Sequence, residues 1–320
     1  MTIKSSLDET QTWNAGKLVH RGPTAYSDLL ALGSSRGILL YENGQSSAYE
    51  KISAALFDQQ WLDDPTVMYV DFREHALNQI IATDAIEQDQ RGNGVNGVLR
   101  GNPITSASTG RYGDTVALNL DGHDDMVRFT DSSNHALDFD ATDSFTLEAS
   151  FKTAAHGSGG PDGSGPIFAK AGSISEPSLS LRIENGRFRF LADDGDSSVL
   201  MQSSTNVSDD QWHHVAVVVD REAAQTKLYL DYRLDSIAPF TLSGGFANSS
   251  DLLIGAYDGA GSASSRYSGL LDFGRVSLAA LTPAQFAQPI PEPNLWIIIG
   301  GALGTLSCNR ARVASQRRNR

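Results

Sequence analysis

Hydrophobic positions along most of this chain fall at every second residue, in short runs separated by clusters of Gly, Ser, Asp and Asn. A period of two is the strand pattern, so the chain reads as all-β. The strongest run is Gln211 to Asp220, QWHHVAVVVD, where Val215, Val217 and Val219 alternate with Ala216 and Val218. A strand apolar on both faces predicts burial on both. A polar turn, Arg221 to Thr226, and a second run, Lys227 to Asp231, make the pair a hairpin. Phe145 to Phe151 sets Phe145, Leu147, Ala149 and Phe151 on one face of another core strand. Thr66 to Phe72 alternates as well, and Leu179 to Ile183 and Arg187 to Leu191 flank an Asn185-Gly186 turn. His213 and His214 flank a buried strand and read as structural residues.

Several of these runs carry a family resemblance. W-H-H-V-A followed by L-Y-L-D resembles the central strand pair of laminin-G-like, concanavalin-A-like sandwiches. Asp89-Gln-Arg-Gly92-Asn-Gly94 is similar to the D-x-S-G-N-G opening of that family, and Leu118 to Phe129 to its L-x-L-D-G-x-D-D-x-V stretch. Leu252 to Gly259 and Tyr267 to Val276 resemble the two closing strands, with Phe273 where the family usually has an acidic residue. The resemblance implies a jelly-roll sandwich over residues 65–282, with calcium and glycans bound through loops at one edge. Asp121, Asp124, Asp125 and Asp258 are the calcium candidates, since a hard cation wants several oxygen ligands from adjacent loops. Aspartate before glycine is more often a turn former than a ligand.

Residues 1–64 carry a second resemblance. Ser6-Leu-Asp8-Glu-Thr10-Gln-Thr12-Trp13 resembles the S-x-D-x-G-x-T-W Asp-box of sialidase-type propellers, with Thr10 in place of the glycine. Then come A-Y-S-D-L at Ala25 to Leu29, L-Y-E at Leu40 to Glu42 and Y-E-x-I at Tyr49 to Ile52, in the order of the last blade of exo-sialidases. The resemblance implies that Tyr26 is the nucleophile and that Glu42 orients one arginine of the triad that clamps the substrate carboxylate. A phenol suits that role because a carboxylate nucleophile would be repelled by the carboxylate on the anomeric carbon of sialic acid. The family's other catalytic groups lie upstream of this blade, and Arg21 is not at the place of the third clamp arginine. The expectation is therefore a partial blade from the end of an exported sialidase, without cofactor and incomplete as a catalyst. The rival reading is a non-catalytic surface protein that binds glycans.

Charge and the C-terminus complete the picture. The formal net charge is −13, and Arg310, Arg312, Arg317, Arg318 and Arg320 conceal more of it: without them 20 basic residues face 38 acidic ones. That balance argues against nucleic acid. The one cysteine, Cys308, has no partner for an intrachain disulfide. Pro291-Glu292-Pro293, the apolar run Leu295 to Cys308 and the arginine cluster resemble the PEP-CTERM sorting signal. The run spans about 21 Å as a helix, a marginal membrane span. The resemblance assigns residues 283–320 to a sorting tail with a short hydrophobic helix, cut by an exosortase-type enzyme. Met1 to Asn14 lacks the pattern of a signal peptide although such a tail implies export to the cell envelope, so the expected true start lies upstream. Sialylated or other glycans are the expected partners.

Overall fold

The alternating runs become two antiparallel sheets of eight strands each, packed face to face in a computed structural model. It describes residues 1–6, 9–11, 17–20, 23–33, 36–44, 46–91, 94–108, 115–130, 137–153, 165–171, 176–258 and 265–287. The Asp8 and Trp13 positions of the Asp-box, Arg21, Gly92 and the tail from residue 288 onward lie outside the described residues.

The first sheet runs Arg233–Pro239, Gln225–Leu230, Trp212–Asp220, Phe145–Lys152, Ser268–Ser277, Thr115–Asp121, Ile104–Ser108, with Thr66–Val70 also paired to Ser268–Ser277. The second runs Ser198–Gln202, Arg187–Asp193, Ser178–Glu184, Gly165–Ala171, Leu252–Ile254, Met126–Phe129, Gly97–Arg100, Ile86–Glu87. Neighbouring strands in both sheets are often distant in sequence, which makes this a jelly roll rather than a meander.

The core lies between the sheets. Phe145, Leu147, Ala149 and Phe151 are all fully buried in it, as their alternation requires, together with Val215, Val217 and Val219. Its aromatic centre is a triplet: Phe145 stacks on Phe139 at 4.3 Å and meets Phe246 edge-on at 5.9 Å. The Asn185-Gly186 turn has both residues at positive φ (52° and 75°), the backbone a two-residue hairpin needs.

The outer face of the first sheet is covered too, which explains why Ala216 and Val218 are apolar. Leu281 and Phe286, from the segment that follows the last strand, pack on those two residues. A buried polar network holds that segment down. Glu148 projects from the outer face with its carboxylate fully buried; Oε1 accepts from His214 Nε2 (3.1 Å) and Ala287 N (2.9 Å), and Oε2 accepts from Arg275 Nη1 (3.0 Å). Arg275 also donates to Thr66 Oγ1 (2.9 Å) and Gln285 O (3.0 Å). One carboxylate and one guanidinium thus join the first and last strands of the sandwich to residues 285–287.

Ahead of the sandwich, Thr24–Ala31, Arg36–Asn43 and Lys51–Asp58 form a three-stranded antiparallel sheet. Leu39 and Tyr41 are buried beneath it, whereas Leu30, Leu40, Ile52 and Leu56 are exposed. The register places Leu30, Leu40, Ile52 and Leu56 on one side, so this face of the sheet carries exposed apolar side chains among the charged Asp28, Arg36, Glu42 and Asp58. A five-residue helix, Gln59–Asp63, capped by the Asp58 carboxylate, leads into Thr66. No helix among the described residues is long and apolar enough to cross a membrane.

Candidate functional site

A polar concavity opens where the two sheets end on the same side. The edge strand Arg233–Pro239 of the first sheet faces the residues that leave Ser198–Gln202, the edge of the second. Between them lies a cleft of about 570 Å³, lined by Ser204, Thr205, Leu230, Asp231, Arg233, Leu234 and Asp235.

A two-residue turn builds its floor. Asp231 (φ 49°) and Tyr232 (φ 66°) both lie in the left-handed region, flanked by the Leu230–Arg233 pair. Positive φ costs free energy at a tyrosine. The surroundings fix it: the Tyr232 ring stacks on His214 at 4.2 Å and 9°, and its hydroxyl donates to Ala287 O at 2.9 Å. With Tyr232 anchored behind, Arg233 turns toward solvent at the cleft, and among the described residues its guanidinium has no hydrogen bond or ion pair.

The cleft's carboxylates are held in place. Asp235 Oδ2 accepts from Ser204 N (2.7 Å), and Oδ1 from the hydroxyls of Ser204 (2.8 Å) and Thr205 (2.9 Å), which pins one sheet's edge to the other. Burial pushes this carboxyl up, but the hydrogen bonds from Ser236, Ser204 and Thr205 outweigh it, and Asp235 titrates below its ordinary value. Asp231 is bonded to His213 Nδ1 (3.0 Å), whose Nε2 meets Asp209 at 3.1 Å. Burial pulls the imidazole down, yet the two carboxylates prevail and its pKa lies above the ordinary value. A ring nitrogen facing a carboxylate on each side satisfies both only as imidazolium. Its two carboxylate partners therefore hold His213 in place beneath the floor and favour its protonated form.

Three of the four calcium candidates come together. Asp121, Asp124 and Asp125 place carboxylate oxygens within 4.8 Å of one another. Asp125 is the anchor: Oδ1 accepts from Asn102 N (2.9 Å) and Oδ2 from Asp121 N (3.0 Å). Burial first, then the charges of Asp121 and Asp124, push its carboxyl up despite those bonds. Gly101, at φ 74°, lets the neighbouring loop approach, since a Cβ there would collide with the Asp125 side chain. Asp258 is not in this group; its carboxylate accepts from Arg266 Nη1 at 2.6 Å.

Tyr26 and Glu42 occupy opposed positions on paired strands. Thr24 pairs with Asn43 and Ser27 with Tyr41, so Ala25 and Tyr26 together oppose Glu42 across a β-bulge. Tyr26 is 79% exposed. Glu42 Oε2 is buried and has no hydrogen-bond partner among the described residues.

The sequence reading passed over the cleft and the Glu148 network. The cleft residues sit in D-Y-R-L-D at the end of a run read only as a strand, and nothing in that pentad foretells which side chains face out. Glu148 did leave a signal, a charge at the centre of the apolar run F-T-L-E-A-S-F, beside the partner strand that carries His214.

Comparison with known proteins follows the same outline. A family model described as "Concanavalin A-like lectin/glucanases superfamily" matches residues 121–287. No curated protein matches the chain. Among solved structures, the binding domain of Paraclostridial mosquitocidal protein 1 is similar at 13% identity and TM-score 0.53, covering 71% of this chain and 51% of that one. The botulinum neurotoxin serotype G binding domain is similar at 11% identity and TM-score 0.50, covering 69% and 49%. This chain thus spans about half the length of both structures. The CBM40 of the Ruminococcus gnavus IT-sialidase, bound to α2,3-sialyllactose, aligns at 14% identity and TM-score 0.44, over 53% of this chain and 93% of that one.

Proposed function

We propose, since the chain belongs to the concanavalin A-like lectin/glucanase superfamily, that its sandwich is a glycan-binding module and that the cleft at Arg233 is where the glycan sits. The observation that carries this reading is the side-chain set of the cleft. Sugars present hydroxyls in pairs and an apolar C–H face. Arg233 offers unpaired donors, the hydroxyl oxygens of Ser204 and Thr205 offer acceptor lone pairs, and Leu230 and Leu234 offer aliphatic surface. Because Asp235 and His213 are already fixed by their own partners, little side-chain ordering opposes binding. Substituting Arg233→Ala is expected to weaken the best-bound oligosaccharide at least about tenfold by titration calorimetry, without changing the unfolding midpoint. Equal affinity in the variant would move the site elsewhere on the sandwich.

A second reading concerns residues 1–64, as the last blade of a sialidase-type propeller, and the Tyr26–Glu42 bulge favours it. Glu42 Oε2, buried and unpaired, suits a carboxylate that orients a guanidinium. On this reading Tyr26 is the nucleophile of a complete enzyme, residues 65–282 are its glycan-binding accessory sandwich and residues 283–320 its sorting tail. Export to the cell envelope goes with it and rests on sequence resemblance. The purified chain is expected to leave a fluorogenic sialoside intact; cleavage that Tyr26→Phe abolishes would overturn the expectation of incompleteness. Calcium at Asp121, Asp124 and Asp125 belongs to the same reading, with Asp258 outside the set.

A further inference from the structure

We propose that Glu74, His75 and Glu87 form a binding site for a divalent transition-metal ion of the zinc class, at the outer edge of the second sheet. The three residues come from two segments. Glu87 lies on the edge strand Ile86–Glu87, paired with Gly97–Arg100. His75 and Glu74 arrive from the turn that follows Thr66–Val70.

That turn is shaped to deliver them. Phe72 is fully buried at φ 57°; its N–H donates to Glu87 Oε1 (3.2 Å) and its carbonyl accepts from His75 N (3.2 Å). The chain therefore doubles back over Glu87. Glu74 is fixed from the other side, Oε1 accepting from Gln88 N (3.0 Å) and Oε2 from Gln90 Nε2 (2.9 Å). Each of these carboxylate oxygens keeps a second lone pair. One donor atom of each of the three residues lies within 4.8 Å of the other two.

Distance and charge both fit an ion. His75 Nε2 stands 3.0 Å from Glu87 Oε2. Ligands about 2.0 to 2.2 Å from zinc, at adjacent corners of its coordination shell, are separated by roughly 2.9 to 3.4 Å. The imidazole and the carboxylate can exchange a shared proton for a shared metal with little movement. The Glu87 side chain is fully buried and that of His75 is 12% exposed, yet among the described residues no lysine or arginine pairs with Glu87 or Glu74. A proton held between His75 and Glu87 leaves the metal-free cluster at −1; a dication that replaces this proton meets two carboxylates and a neutral imidazole, which its charge cancels. Burying a carboxylate is costly unless its charge is matched, and a dication at this position would match it together with Glu74.

The donor set selects the metal. An imidazole with two carboxylates suits zinc and its neighbours better than calcium or magnesium, which take oxygen ligands. Glu74 faces solvent and leaves open positions for water and a path of entry. A bound ion would clip the turn at residues 72–75 to the sheet edge.

The test uses the full chain dialysed against ZnCl2, then metal-free buffer, with retained zinc measured by mass spectrometry. One equivalent per chain is expected, together with a higher unfolding temperature when ZnCl2 is present. Cobalt(II) in place of zinc is expected to give visible absorption bands. His75→Gln and Glu87→Gln should each lower affinity by about tenfold or more, a loss at least as large as outer-shell changes give, while Asp124→Asn leaves it unchanged. His75 is partly exposed, so its variant keeps the test decisive if Glu87→Gln folds poorly. No retained zinc, retention undiminished in His75→Gln, or retention lost in Asp124→Asn would each overturn the assignment.

Discussion

Glu148→Ala is expected to lose about 3–5 kcal/mol of folding free energy, the cost of removing one partner from a buried ion pair. The substitution removes the closer and fully buried of the two carboxylates paired with Arg275, leaving only Asp64 at 3.5 Å, and frees His214 Nε2 and Ala287 N at the same time. Residues 281–287 then lose the acceptor that holds them against Ala216 and Val218, so the outer face of the first sheet opens to water. Urea unfolding followed by tryptophan fluorescence measures the loss, and hydrogen exchange places it: amides of 285–287 and of Trp212–Asp220 should lose protection together. A pair open to solvent on one side supplies the contrast. Glu184→Ala, which removes the partner of Arg189, is expected to cost no more than about 1 kcal/mol. If the two variants cost the same, the buried network does not hold the closing segment.

Phe145→Ala is expected to be comparably severe, about 3–5 kcal/mol, for a different reason. Its ring is fully buried and lies between Phe139 and Phe246, which come from separate loops. Removing it deletes apolar burial and leaves a cavity that two rings held by their own backbones cannot readily fill. Phe145→Leu should recover more than half of the loss by restoring volume. Chemical denaturation checks both. A cost of under about 1 kcal/mol for Phe145→Ala would mean that the core collapses onto the gap.

The two predictions also mark where the sequence is legible and where it is not. Period-two alternation identifies Phe145, Leu147, Ala149 and Phe151 as core because a strand's side chains can point only to one face or the other. The same rule exposed both faces of Trp212–Asp220 as buried, and the cover on the outer face is Leu281 and Phe286. What covers an outer face is not a periodic property. Residues 281–287 are held by Glu148 and Arg275 through contacts up to 139 positions apart, and no local pattern carries that information. The aspartates divide in the same way. Asp121, Asp124 and Asp125 share one turn and so converge, whereas Asp258 belongs to a later hairpin and is taken by Arg266 from its own partner strand.

The sites differ for a similar reason. Tyr26 and Glu42 stand at opposed positions across a bulge between paired strands, and motif order alone brought attention to both. The Arg233 cleft joins edges of two different sheets, residues 204–205 with 230–235, and exists only after the sandwich closes. Glu74, His75 and Glu87 sit in a stretch whose polarity reads as loop, and the left-handed Phe72 that folds it back is invisible as a sequence pattern.

Glycan-array binding of the full chain tests the central claim most directly. Saturable retention on a defined subset of glycans, lost in Arg233→Ala while the unfolding midpoint is unchanged, is the predicted result. No retention on any glycan, or retention that survives Arg233→Ala undiminished, would contradict it.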